Sequence, residues 1–145
     1  GGVVARLWVQ EYDGVHKARR VITLGSPHHG TQLALAGSVF APDACPVACQ
    51  QLTPGSRFLA DLQTPVPEPP SWLALWTTQD RTVTPPASAG LEGGLSVSVQ
   101  SVCPDVQVAH SALPTDPVVT RMVLAAIGPG PMLPPAPGLC SPSGG

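Results

Sequence analysis

Charged residues are scarce in this sequence, and it has no run of lysine or arginine. Seven Lys and Arg residues and nine Asp and Glu residues stand among 145, which gives a formal net charge of -2. Nucleic acids and anionic membranes are bound through clustered positive charge. The most basic stretch, "VHKARR" at 15–20, is short and is interpreted as a solvated loop that leads into a strand. We therefore expect no nucleic-acid partner.

Long apolar runs are also missing. None approaches the ~18 residues of a membrane-spanning helix, so we expect no stable insertion into a membrane. No signal peptide is visible, and the chain begins with Gly1 instead of methionine. We expect the full protein to contain a segment upstream of Gly1 that this sequence lacks. The missing signal peptide is therefore uninformative about targeting. The sequence does not indicate an oligomeric state.

Aromatic residues are few, whereas proline is abundant, and twelve of the 19 prolines lie in 64–70, 84–86 and 129–142. These stretches are excluded from helices and central strands, because proline lacks the backbone donor. We predict one partial domain over 1–128, followed by a Pro- and Gly-rich disordered tail over 129–145, tethered at most through Cys140.

Apolar patterning predicts strands that alternate with helices. The expected order is a buried helix over 3–12, a strand Val21–Leu24, a helix near Ser56–Leu62, strands Trp72–Trp76 and Leu95–Val102, and a final helix ending before Gly128, with Thr115 or Asp116 as its N-cap. This alternation predicts an α/β fold, with a mostly parallel sheet and helices on both faces. In the first helix Val4, Trp8 and Tyr12 form one stripe with Val3 and Leu7 beside it, and this helix is expected to be buried.

The four cysteines are candidates for disulfides. Cys45 and Cys49 are four residues apart, which one helical turn brings within bonding reach, and Cys103 and Cys140 form the remaining pair. An even count favours an oxidising compartment, although four free thiols in a cytosolic enzyme are the alternative. A zinc site at Cys45 and Cys49 with His28 and His29 is a weaker use, because no second close pair exists. We expect no metal and no cofactor.

Asp80 and His110 follow neighbouring predicted strands, where reactive groups of parallel sheets collect. A carboxylate that accepts a hydrogen bond from an imidazole fixes its tautomer and leaves the other nitrogen free to take a proton. The sequence thus predicts a catalytic pair. Alternatively, Asp80 caps a turn and His110 is an ordinary loop residue.

Other polar residues compete for these roles. Asp105 lies on the loop of His110, and Asp116 is better used as an N-cap before Pro117. His28 and His29 are interpreted as loop residues that hold neighbouring turns together.

Gly1 and Gly2 run directly into an apolar helix, as the end of a nucleophile elbow G-x-S-x-G does. We expect a serine nucleophile two residues upstream of Gly1. The chain order Ser, Asp, His is that of the α/β hydrolases.

The segments "GGVVARLWVQEY", "RRVITLGSPHHGT", "ACPVACQQLTPGSRFL" and "TTQDRTVTPP" resemble the C-terminal half of small secreted bacterial lipases and esterases of the α/β-hydrolase fold. The resemblance covers residues 1 to 127 and implies that Asp80 is the acid and His110 the general base. It implies secretion and an ester or lipid substrate, with no cofactor. The serine and oxyanion-hole residues of that family have no counterpart in this chain.

The expected function is therefore that of a serine carboxylic-ester hydrolase, a lipase or esterase, whose residues 1–145 alone are inactive. A thioesterase, acyltransferase or amidase on the same scaffold, or a non-catalytic binding homologue, are the alternatives. Four apolar residues of the segment 32–70 are suited either to contact an acyl chain or to pack in the core, namely Leu33, Leu35, Val39 and Phe40.

Overall fold

The structure is a computed structural model and describes residues 1–141 as three β-strands and six α-helices, joined by short 3₁₀ turns. The strands are β1 Arg20–Leu24, β2 Ser71–Trp76 and β3 Leu95–Ser98. The helices are α1 Gly2–Glu11, α2 Gln32–Phe40, α3 Val47–Gln51, α4 Arg57–Ala60, α5 Val99–Val102 and α6 Pro117–Ile127.

The three strands form a parallel sheet in the order β1-β2-β3. Ile22 lies opposite Leu73, and Leu75 lies opposite Val97. The middle of β2, residues 72–75, is buried because β2 is paired on both sides. β3 lies at an edge, as its alternating sequence predicted. β1 is less buried than predicted, with only Thr23 fully covered, because β1 pairs with β2 alone in the described residues.

Helices cover both faces of the sheet. Leu73 and Leu75 pack into one cluster with Met122 of α6, whereas Trp72 packs into another cluster with Val9 of α1. Alternate residues of a strand point to opposite faces, so β2 contributes to both clusters, and β1 does so through Val21 on one face and Ile22 on the other. Each fully buried large apolar side chain contributes about 1.5–3 kcal/mol of transfer free energy. The predicted α/β architecture is confirmed at this level.

Helix α1 packs through a different face than the sequence predicted. Val4 and Tyr12 are 65% and 64% exposed, and Trp8 is on the same exposed stripe. The buried side of α1 instead carries Val3 and Val9, together with Gly2 and Arg6. The expectation of burial was wrong for Val4, Trp8 and Tyr12 but correct for Val3 and partly for Leu7, because the absence of a side chain at Gly2 lets the adjoining face of α1 approach the sheet.

Two other elements differ from the predicted pattern. β3 ends at Ser98 instead of continuing to 102, because the Ser98 side chain accepts a hydrogen bond from the Ser101 amide and begins α5. Helices α2 and α3 lie in a segment that was predicted to be irregular. Thr31 is the N-cap of α2, and Gly37 of α2 lies against the sulfurs of Cys45 and Cys49.

The start of α6 and the pairing of the cysteines agree with what the sequence predicted. Asp116 is the N-cap, since its carboxylate accepts from the amides of Val118 and Val119 at 2.8 and 3.1 Å. The disulfides are Cys45–Cys49 and Cys103–Cys140, with Cα–Cα distances of 5.3 and 5.5 Å. Sulfurs bonded to each other do not serve as the zinc ligands considered above.

Of the predicted tail, the structure describes 129–141, and residues 142–145 lie outside the described part. Leu139 and Cys140 pack against the core cluster of α6. The Arg121 guanidinium donates to the carbonyls of both residues, at 2.8 and 3.3 Å. Within residues 1–141, no helix has both the length and the apolar character needed to cross a membrane.

Candidate active site

Asp80 lies just beyond the carboxyl end of β2, in a turn that its own side chain closes. Its Oδ1 accepts hydrogen bonds from the amides of Thr82 and Val83, each at 2.8 Å. The side chain of Asp80 is 1% exposed. The two amide donors hold the carboxylate in one orientation and leave Oδ2 for another partner.

That partner is His110, whose Nδ1 lies 2.7 Å from Asp80 Oδ2. His110 begins a 3₁₀ turn over His110–Ala112. The loop before it is fixed by two contacts to the β2 end, where the Thr77 hydroxyl donates to the Val108 carbonyl and the Val108 amide donates to Gln79 Oε1. Asp80, from the end of β2, and His110, from the loop after α5, are thus brought together, as the sequence predicted.

The geometry defines which nitrogen of His110 is free. Asp80 Oδ2 accepts the Nδ1–H, which leaves the lone pair on Nε2. The side chain of His110 is 32% exposed, and Nε2 has no hydrogen-bond partner within residues 1–141. Such an imidazole is able to take a proton from a nucleophile, and the resulting imidazolium is stabilised by the buried carboxylate.

Gly25, at the end of β1, lies directly against this pair. Its φ is +55°, and a Cβ there would stand 3.1 Å from His110 Nδ1 and 3.2 Å from Asp80 Oδ2. Its amide donates to the Leu75 carbonyl at 2.8 Å. Only glycine combines this backbone conformation with this close approach. Sequence reasoning assigned no role to Gly25, although the "LGSP" turn at the end of a strand signalled a special backbone position.

An apolar cleft of about 360 Å³ opens beside His110. It extends from Gly1 and Gly25 to the walls supplied by α2 and the loop after α3. Its apolar walls include Leu24, Leu33, Ala34, Leu52 and Val83. Leu33 is 58% exposed and stands at the surface of this cleft, whereas Val39 and Phe40 are exposed without lining it.

The N-terminus of α1 reaches the same cleft. Gly1 lines it, and the Gly2 amide donates to Ser26 Oγ at 3.1 Å. A Cβ on Gly2 would lie 2.3 Å from Ser26 Oγ and 2.7 Å from Thr23 Cγ2, whereas Gly1 has open space around it. Close packing that requires glycine is therefore found at Gly2, and none is found at Gly1 within residues 1–141.

A second polar network, formed by Arg6 and His28, joins α1 to the loop after β1. The Arg6 guanidinium donates to the carbonyls of His28 and Gln63 and to the Thr64 hydroxyl. His28 is 2% exposed, and its Nε2 lies 3.0 Å from Thr23 Oγ1. Burial first, then the positive charge of Arg6, lowers the pKa of His28 from 6.5 to about 3.

His28 is therefore a neutral packed residue, in keeping with the interpretation of it as a loop-holding histidine. Burial also lowers the pKa of Arg6. A buried arginine was not predicted from the sequence, because the pattern of α1 pointed to the opposite face of the helix. His29 is exposed, with Nε2 3.9 Å from Glu92 Oε1.

The competing acids do not take the place of Asp80. Asp116 caps α6, and Asp105 makes no hydrogen bond to His110 among the described contacts. Comparison with models of known protein families and with curated proteins found no match to this chain. The resemblance to lipases and esterases therefore stays a prediction, and the site geometry carries the functional argument.

Proposed function

We propose that this chain supplies the general base and its carboxylate partner to a serine carboxylic-ester hydrolase of the α/β-hydrolase type. The observation that carries the proposal is the 2.7 Å contact between buried Asp80 and His110, whose side chain is 32% exposed and lines an apolar cleft, with Nε2 unpaired within residues 1–141. The nucleophile is a serine that precedes Gly1, in an elbow whose end is the Gly1–Gly2 entry into α1.

In this proposal His110 Nε2 takes the serine proton as Oγ attacks the ester carbonyl. The tetrahedral intermediate collapses as His110 returns the proton to the leaving alcohol, and the acyl group stays on the serine. Water then attacks the acyl-enzyme with His110 again as base, and the carboxylic acid leaves. The apolar cleft of about 360 Å³ holds the acyl chain. The two disulfides support an extracellular protein, because such bonds persist in oxidising compartments.

The test uses the full-length gene product that contains residues 1–145. A fluorophosphonate probe is expected to label one serine upstream of Gly1, and hexanoyl esters are expected to be hydrolysed. Residues 1–145 alone are the matched control and are expected to remain unlabelled. Stoichiometric labelling of a serine within 1–145, such as Ser26, would place the nucleophile elsewhere. A folded full-length protein that neither reacts with the probe nor hydrolyses esters would exclude an esterase and favour a binding role.

A further inference from the structure

His110 lines a second cleft, of about 470 Å³, with more polar side chains in its lining than the first. Besides Ala109 and His110, it is lined by the polar residues Gln79, Arg81, Thr82, Gln107 and Ser111. His110 and Thr82 line both clefts. A group bound in the apolar cleft and a group bound in the polar cleft would thus meet at the proposed general base.

Arg81 differs from the other arginines of the chain in having no partner. Arg6, Arg19, Arg20 and Arg121 donate to backbone carbonyls, and Arg57 forms an ion pair with Asp61. Within residues 1–141, Arg81 makes no hydrogen bond and no salt bridge. A guanidinium presents a planar set of donors that matches phosphate and carboxylate groups. Arg81 is the permanently charged residue of the polar cleft.

The side-chain amides of Gln79 and Gln107 are oriented so that one N–H donor remains available to a ligand. Gln79 Nε2 donates to Gln107 Oε1 at 2.6 Å, and Gln79 Oε1 is occupied by the Val108 amide. The acceptor oxygen of Gln107 is therefore used, and its amide nitrogen is free to donate. With Arg81 and the Ser111 hydroxyl, this wall favours a group rich in acceptor oxygens. The carboxylate of Asp80 does not present an oxygen to an anion in this cleft, because its side chain is 1% exposed and both oxygens are hydrogen-bonded.

We propose that the polar cleft binds an anionic group, phosphate or carboxylate, on the alcohol part of the ester. This inference rests on the proposed function and names its substrate class as an acyl ester of an anionic, hydroxyl-bearing alcohol. The acyl chain enters the apolar cleft and the anion contacts Arg81, so that the ester bond lies at His110. Cleavage transfers the acyl group to the serine, and the alcohol leaves with the proton from His110 Nε2 and with its anionic group intact.

The experiment compares two probes that share one acyl chain, 1-hexanoyl-glycerol 3-phosphate and 1-hexanoyl-glycerol, on the full-length gene product. One charge-assisted contact at a solvated site is expected to raise kcat/KM for the phosphate ester about tenfold over the neutral ester. In Arg81→Gln the ratio of the two kcat/KM values is expected to fall to about one, and in Arg81→Glu below one. The matched control is Arg57→Gln, because the Arg57 side chain is 94% exposed on α4 and lines neither cleft.

The outcomes separate this inference from the proposed function. If both esters are hydrolysed and the ratio is the same in the wild type and Arg81→Gln, the inference is overturned while the esterase proposal stands. If Arg81→Gln lowers both rates equally, Arg81 has a structural role and the inference is again overturned. Failure of the folded wild type to hydrolyse either ester removes the proposed function and the inference with it. A preference for phosphate that declines on raising the salt concentration supports charge recognition.

Discussion

His28 lies in the loop after β1 and His110 in the loop after α5, and the surroundings of these two loop histidines differ in almost every respect. His110 has a carboxylate partner on one nitrogen and an open cleft at the other. His28 is 2% exposed, and the charged side chain beside it is the cation Arg6. The first environment favours an imidazole that exchanges protons, whereas the second keeps the ring neutral.

The contrast shows that residue type and loop position do not separate a reactive histidine from a packed one. His28 and His29 lie in one of the segments that carry the resemblance, yet within residues 1–141 neither is hydrogen-bonded to Asp80. The deciding feature is the partner. A buried carboxylate stabilises the protonated ring, and a neighbouring guanidinium opposes it. Variants of the Asp80–His110 pair are therefore expected to lose turnover, whereas variants of the Arg6–His28 network are expected to lose stability.

The largest effect is expected at the Asp80–His110 pair. In the full-length protein, His110→Ala is expected to lower ester kcat/KM by several orders of magnitude, because no base remains. Asp80→Asn is expected to lower it by roughly 10⁴-fold. The amide oxygen keeps the Thr82 and Val83 contacts, while its NH₂ group faces His110 Nδ1 and favours the wrong tautomer. Steady-state kinetics on variants with native circular dichroism provide the measurement.

Asp105→Asn is the matched control for that experiment, since Asp105 lies on the loop of His110 without bonding to it. Its kcat/KM is expected to stay within a few-fold of the wild type. If kcat/KM were strongly reduced in Asp105→Asn and near that of the wild type in Asp80→Asn, Asp105 would have to be assigned as the partner of His110. The position of Asp80 at the end of β2 would then not identify the catalytic carboxylate.

The Arg6 network is expected to act on stability. Arg6→Met removes donors from the His28 and Gln63 carbonyls and from Thr64, which lie at 3.1, 3.2 and 2.9 Å. Leaving the buried His28 carbonyl and two partly buried acceptors unpaired is expected to lower the free energy of unfolding by about 2–4 kcal/mol, partly offset by the relief of a buried charge. Urea unfolding measures this loss, with exposed Arg57→Met as the control. Equal losses in the two variants would contradict the structural importance of Arg6.

His28 predicts a pH dependence of stability. In the folded protein the His28 ring is protonated only as the pH approaches its pKa of about 3. In the unfolded chain the same ring is protonated near pH 6.5. Between these values the unfolded state binds more protons, so stability is full above pH 6.5 and is lost as the pH falls toward 3. The contribution to the slope is at most about 1.4 kcal/mol per pH unit.

His28→Gln keeps a polar group near Thr23 and cannot titrate. We expect this variant to be less stable at pH 7 but to lose less free energy of unfolding between pH 7 and 4 than the wild type. His29→Gln is the control, because the His29 side chain is 46% exposed. Thermal unfolding across this pH range measures both slopes. An identical slope in the wild type and His28→Gln would show that other groups govern the acid side.

The sequence predicted those parts of the molecule that depend on local pattern. β2 was found because "WLALW" is an uninterrupted apolar run, and Asp116 was found because N-caps have a local signature. The pairing of Asp80 with His110 followed from topology, since parallel strands bring their carboxyl ends to one edge.

The missed features depend on contacts between distant segments. Burial of Arg6 requires acceptors from residues 28, 63 and 64, and the role of Gly25 requires Asp80 and His110 to converge on it. The face of α1 was predicted wrongly because periodicity shows that a helix has an apolar stripe, but not which side meets the sheet. Helix α2 was missed because Gly37 weakens its local helix signal, while the bridged Cys45 and Cys49 pack against it.

The smallest effect is expected at Asp116, which sharpens the contrast with Asp80 because both carboxylates accept from two backbone amides. Asp116 Oδ1 binds the amides of Val118 and Val119 but contacts no histidine. Asp116→Asn retains a capping oxygen and is expected to lower the free energy of unfolding by about 1 kcal/mol or less. Ester kcat/KM is expected to remain near that of the wild type. Chemical denaturation and kinetics on one preparation measure both quantities. A loss of turnover comparable to that of Asp80→Asn would contradict the assignment of Asp116 as a purely structural carboxylate, because contact with a histidine would then not be what distinguishes a catalytic carboxylate from a capping one.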